Sequence, residues 1–152
     1  LPVGLGDPVF EKLDANLAKA IVSIGAVKGF EIGDGFVAAE ATGLTNNDSF
    51  VMENGQVKKA TNHSGGTLGG MSDGSPLIFR AAIKPTPSIA STQQTVNKSG
   101  ETIDISIKGR HDPIIVPRAV VVVEAMAAIT IVDLLFANMT AKLDRIIDFY
   151  KL

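Results

Sequence analysis

Cysteine is absent from all 152 residues. That excludes disulfides, thiolate nucleophiles, iron–sulfur clusters and Cys-ligated zinc, and with them a small secreted disulfide scaffold. Tryptophan is missing too, tyrosine occurs once and phenylalanine seven times, so a core must be built from Val, Ile, Leu and Ala. Histidine occurs only at His63 and His111, too few for a three-histidine metal site. Neither sign of charge dominates: 14 Lys and Arg against 16 Asp and Glu leave a net charge of −2. A protein that grips nucleic acid by broad phosphate neutralisation is not built this way, nor is one with a polybasic membrane-surface segment. A local basic pocket for a phosphorylated small molecule remains compatible with this balance.

The length is that of a single domain, residues 1–152. Four Asn-x-Ser/Thr triplets, at Asn47, Asn62, Asn97 and Asn138, are what a chain rich in these residues produces by chance. No secretion signal accompanies them, so an intracellular, soluble protein is expected. The run from Ala119 to Phe136 is apolar, but Glu124 and Asp133 interrupt it, and a charge near a helix centre opposes insertion. It reads as a helix buried between layers of protein rather than a membrane span. Leu1-Pro2-Val3-Gly4-Leu5-Gly6-Asp7-Pro8 reads as a linker or a cut end, so a fragment is expected.

Asp7-Pro8 is a helix-start signal, and Phe10, Leu13, Leu17, Ile21 and Ile24 follow at helical spacing up to Gly25. Val27 to Ile32 reads as a strand turning at Gly33-Asp34-Gly35, and Leu77 to Ile83 as a second strand. Residues 43–76 are rich in Gly and Asn and keep no helical period. Thr102 to Ile107 alternates as a half-wet strand. Pro117 opens the long apolar helix, and Ala141 to Tyr150 reads as an amphipathic helix with Leu143, Ile146, Ile147 and Tyr150 on one face. Three or four strands and three helices make an α+β fold, an antiparallel sheet packed on helices.

Three segments carry possible chemistry. Thr61-Asn62-His63-Ser64-Gly65-Gly66-Thr67-Leu68-Gly69-Gly70 lets backbone amides approach an anion or a flat ring, yet it is neither a Walker loop nor the dinucleotide fingerprint. Lys84-Pro85-Thr86-Pro87-Ser88 sets a cation beside hydroxyls, as a phosphate site needs, although a stiff solvated connector has the same composition. Lys108-Gly109-Arg110-His111-Asp112-Pro113 offers a guanidinium fork and an Asp–His pair for proton transfer, in a place where partial burial is expected. Asp34 reads first as a turn residue, and Glu124 and Asp133 as charges at a helix edge or subunit contact.

Taken together in this order and spacing, these motifs are similar to the chorismate synthase family. So are Asp7-Pro8-Val9-Phe10-Glu11-Lys12-Leu13-Asp14-Ala15, Val27-Lys28-Gly29-Phe30-Glu31-Ile32-Gly33-Asp34-Gly35-Phe36, Pro117-Arg118-Ala119-Val120 and Val123-Glu124-Ala125-Met126. The resemblance runs from residue 4 to about 136 and concerns only the C-terminal part of that family. It implies one half of a sandwich of helices between antiparallel sheets. It also implies conversion of 5-enolpyruvylshikimate 3-phosphate to chorismate and phosphate, an anti-1,4-elimination on reduced FMN, in the cytoplasm, by a homotetrameric lyase of aromatic amino acid biosynthesis. NADPH or an external system would reduce the flavin.

Carried over by motif, the resemblance assigns flavin contacts to Gly25, Ala26, Gly69, Lys84, Pro85, Thr86, Pro87, Ser88 and Arg110, and proton transfer beside the flavin to Asp112. The family often has another residue at Gly25, so only a backbone contact carries over there. Ser64 stands where Ala is common and Val121 where Pro is common. The family's two catalytic histidines and its Arg-Ser-rich flavin loop belong to the N-terminal part, and His63 and His111 do not replace them. The chain alone is therefore expected to be inactive. A catalytically dead flavin- or phosphate-binding module, or an assembly unit, stands as the alternative.

Overall fold

The computed structural model describes residues 1–109 and 114–151. They form three α-helices, α1 (Leu13–Val22), α2 (Val116–Met139) and α3 (Leu143–Tyr150). They also form eight short strands: β1 (Val27–Ile32), β2 (Phe50–Glu53), β3 (Gln56–Lys59), β4 (Thr67–Leu68), β5 (Met71–Ser72), β6 (Phe79–Ile83), β7 (Gln93–Val96) and β8 (Thr102–Ile105). The strands pair as four antiparallel ribbons, β1–β6, β2–β3, β4–β5 and β7–β8. The fold is α+β, as expected, but with twice the strands anticipated. The unanticipated ones lie mostly in the Gly- and Asn-rich stretch, where strands of two to four residues are too short to show a period.

β1 occupies the span its sequence predicts. Its register against β6 runs from Val27↔Ile83 to Ile32↔Phe79, with an irregularity between Val27 and Gly29. Phe30 and Phe79 stack at 5.5 Å on the face toward the helices. With Leu77 they cover a small core of Leu13, Leu17, Ala127 and Leu134. Helix α1 contributes Leu13, Leu17 and Ile21, fully buried at spacing four.

Three expectations are corrected. Helix α1 begins at Leu13, not at Asp7-Pro8, because Phe10 takes a left-handed φ of 60° and stands 89% exposed. The free amide of Leu13 is instead taken by the Gly70 carbonyl at 2.7 Å. The chain reverses after α1 at Ala26 (φ 70°) rather than at Gly25, which has no left-handed φ. The first residues are not a free linker: Leu5 is buried, its amide donates to Ser72 Oγ at 2.9 Å, and its carbonyl accepts from the Ser72 amide.

A fourth correction concerns α2. Only Ala127 and Leu134 are buried, two turns apart on the side facing α1, while Val121, Ile129 and Phe136 are more than 60% exposed. The helix is long and apolar enough to cross a membrane by length and composition alone. Lys108 is exposed rather than partly buried, and Glu124 and Asp133 are exposed on α2. Helix α3 forms where expected, but of its apolar face only Ile146 is half-buried.

Candidate functional site

The Thr61–Gly70 loop is held by side chains from three other segments. Asp48 Oδ1 accepts from the His63 amide at 2.8 Å and from Thr61 Oγ1 at 2.7 Å. Its Oδ2 accepts from the Ser64 amide at 3.0 Å and from Ser64 Oγ at 2.7 Å. Lys59 Nζ donates to Ser64 Oγ at 3.0 Å, pairs with Asp73, and lies 3.5 Å from Asp48 Oδ2. The side chains of Lys59, Asp48 and Asp73 are only 5–8% exposed. Burial alone raises a carboxyl pKa, but the donors from Ser64, Thr61 and His63 outweigh it and hold Asp48 well below the usual carboxylate range. Asp73 is lowered for the same reason, with Lys59 and Ser75 as donors. His63 Nδ1 meets Asp34 Oδ2 at 2.6 Å, and Asn46 donates to the same oxygen.

The loop's glycines do different jobs. A Cβ on Gly65 would overlap the Gly33 backbone, one on Gly66 would lie 2.6 Å from the Pro76 carbonyl, and one on Gly70 would lie 2.6 Å from the Asp7 carbonyl. At Gly69, with φ +60°, a Cβ meets nothing within 4 Å. Gly69 therefore offers a bare backbone to the outside while its neighbours are locked.

At the far end of the β1–β6 ribbon, Lys84 donates its amide to the Ala26 carbonyl at 2.9 Å. This bond, continuing the β1–β6 ladder, brings Gly25 and Ala26 to the Lys84–Ser88 segment. Lys84 is exposed, and a cleft of about 180 Å³ opens between Ile83, Lys84 and Pro85 on one side and Ile114, Ile115 and Val116 at the start of α2 on the other. Among the described residues Thr86 Oγ1 is buried without a hydrogen-bond partner. Leaving a buried hydroxyl unpaired costs about 1–3 kcal/mol, which a ligand acceptor would relieve.

The expected site residues thus fall into two groups. Gly25, Ala26, Lys84, Pro85, Thr86, Pro87 and Ser88 sit at the Val27/Ile83 end of the ribbon. Gly69 sits at the Ile32/Phe79 end, where Gly65 and Gly33 both bond to Ile78 and where Gly70 meets α1. Six strand residues at roughly 3.3 Å each separate the ends by about 20 Å. Arg110 and Asp112, with His111, lie outside the described residues. Among the described residues no group of three metal-ligating side chains gathers.

Comparison with known proteins now places the chain. The family model described as "Chorismate synthase" matches residues 1–136. This chain belongs to the chorismate synthase family. A chorismate synthase of Agathobacter rectalis is 84% identical over 99% of the chain, which covers 41% of that relative. One of Methanococcus vannielii is 52% identical over 91% of the chain, covering 37% of the relative. A solved "Crystal Structure of Chorismate Synthase" superposes with a TM-score of 0.71 at 33% identity, over 92% of this chain and 35% of that one. The chain therefore spans about two-fifths of the length of the curated relatives it matches.

The relatives that this chain matches are more than twice as long. Sequence reasoning missed Asp48, Lys59 and Asp73. The available signals were an acid after Asn46-Asn47 and another just beyond the paired glycines, neither tied to a recognisable motif.

Proposed function

We propose that this chain, as a single domain over residues 1–152, is the C-terminal part of a chorismate synthase. The whole enzyme would convert 5-enolpyruvylshikimate 3-phosphate to chorismate and phosphate by 1,4-elimination. The observation that carries this reading is the family match over residues 1–136, with 84% identity to a curated relative.

The residues at the Lys84 end fit a flavin mononucleotide in part. A cation, two hydroxyls, one of them buried without a partner among the described residues, exposed backbone at Gly25 and half-buried backbone at Ala26 suit its phosphate and ring edge. The adjoining cleft of about 180 Å³ takes only a portion of the cofactor. When bound, reduced FMN supplies transient electron density that helps the phosphate depart. Lys84, Thr86 and Ser88 orient the cofactor, Gly69 lets it or the substrate come close, and Arg110 supplies a planar fork for phosphate. Asp112, by its match to the family motif, would assist proton transfer when the cofactor is bound. Because the two groups of contacts lie at opposite ends of the ribbon, the site is completed by protein beyond this chain. The assembly would be a cytoplasmic homotetramer, supplied with reduced flavin through NADPH or an external reductase.

The test is a hybrid in which this chain replaces the matching part of the Agathobacter rectalis relative. The hybrid is expected to form chorismate within about fivefold of its parent, and the 152-residue chain alone to show no turnover. A folded hybrid without turnover, or full turnover by the chain alone, would sink the reading.

A further inference from the structure

Gly69 and Gly70 form the two-residue tip of the β4–β5 hairpin, both with positive φ (60° and 89°), the conformation of a type I′ turn. A hairpin of two residues per strand does not hold its own shape. Its feet are Ser64, just before Thr67–Leu68, and Asp73, just after Met71–Ser72. Thr67 Oγ1 donates to the Ser64 carbonyl at 3.0 Å, and the Asp73 amide donates to the Gly66 carbonyl at 3.1 Å. The Lys59 ammonium bonds both feet at once, through Ser64 Oγ and the Asp73 carboxylate. Asp48 then anchors the first foot with four donors, which fills the acceptor capacity of a carboxylate.

We propose that Asp48, Lys59 and Asp73 form an internal clamp on the feet of this hairpin that fixes how Gly69 is offered to the flavin. The three are positioning residues, and the part of the inference that concerns the cofactor rests on the flavin reading above. Among the described residues their partners are all within the chain, and Asp48 has its acceptor sites filled. A buried ion triad is a costly way to fill space, since apolar residues of the same volume serve stability as well or better. What it supplies is direction: each charge accepts or donates along fixed lines to a named foot of the hairpin.

Asp48→Asn tests this with almost no change in volume, because the amide turns a donor toward donors it formerly accepted from. Amide exchange is measured on the 152-residue chain, and FMN affinity on the hybrid described above, at a temperature well below unfolding. Asp48→Asn and Lys59→Met are each expected to speed exchange over residues 63–73 by about tenfold or more beyond any change in α1 and β1. They are expected to weaken FMN binding by about tenfold, with turnover recovering at saturating FMN. Glu53→Gln, in the exposed pair with Lys58, is the control and should change neither. Unchanged exchange in Asp48→Asn overturns the clamp. Faster exchange with unchanged FMN affinity overturns its role toward the cofactor. A parent hybrid that binds no FMN overturns the flavin reading instead, and the exchange result still decides the clamp.

Discussion

The two ends of the β1–β6 ribbon are opposites. At the Ile32/Phe79 end Asp48 has four donors, Lys59 bridges two segments, and Gly65, Gly66 and Gly70 are pressed against backbone, with Gly69 left open at the hairpin tip. At the Val27/Ile83 end Thr86 Oγ1 is buried without a partner among the described residues, Lys84 is exposed, and Gly25 faces open space. One end is finished by local chemistry. The other keeps its cation and hydroxyl open, as the proposed cofactor site requires.

The contrast is broken most forcefully through glycine. Gly65→Ala drives a methyl into the Gly33 backbone at a positive φ, and urea unfolding should register a loss of about 3 kcal/mol or more. Gly25→Ala, with nothing within 4 Å and no left-handed φ, should change stability by less than about 1 kcal/mol. Similar losses at both positions would erase the distinction.

Lys59→Met leaves two buried carboxylates without their cation, at an expected cost of about 3–5 kcal/mol by the same unfolding measurement. A loss below about 1 kcal/mol would mean that water already reaches the clamp.

Acid should act on the closed end first. Asp48 and Asp73 have folded pKa values below the unfolded value of 3.8, so below that pH the unfolded chain binds more protons than the folded one. The clamp's contribution is complete above pH 3.8 and fades as pH falls below it. Amide exchange of residues 63–73 should accelerate there before that of β1, after correction for intrinsic rates. Simultaneous loosening of both would contradict a separate clamp.

The smallest effect belongs to Thr86→Val. In the chain alone it removes a hydroxyl that has no partner among the described residues and keeps the shape, so stability should hold or rise by up to about 1 kcal/mol. In the hybrid the same change should weaken FMN binding by about fivefold. A clear loss of stability in the chain alone would show that the hydroxyl serves the fold rather than a ligand.

Much of this was legible in the sequence, and the gaps have physical causes. β1, α2 and α3 announce themselves because each has a local period or a continuous apolar run, and β1 was placed to the residue. β2 to β5 and β7 escaped because strands of two to four residues are set by turns and distant partners rather than by patterning. The early start assigned to α1 followed from Asp7-Pro8 and Phe10. Phe10 instead turns left-handed, and Gly70, nearly sixty positions away, supplies the helix's first contact. The clamp could not be read because Asp48, Lys59 and Asp73 are meaningful only once the hairpins bring them together. The expected burial of α2 failed for a different reason: an apolar sequence says that a surface will be covered, not that the covering protein belongs to the same 152 residues. The family motifs were legible as an ordered set, which is why the site could be outlined although Arg110 and Asp112 lie outside the described residues.

We propose that the Ile32/Phe79 end of the ribbon is held within these residues and that the Val27/Ile83 end is completed by the remainder of a chorismate synthase. The most direct measurement is a flavin-fluorescence titration of FMN against the chain alone and against the hybrid with the Agathobacter rectalis relative. The account predicts saturable binding by the hybrid and binding at least about a hundredfold weaker by the chain alone. Equal affinity in the two would contradict it, because the cofactor site would then be finished within these residues.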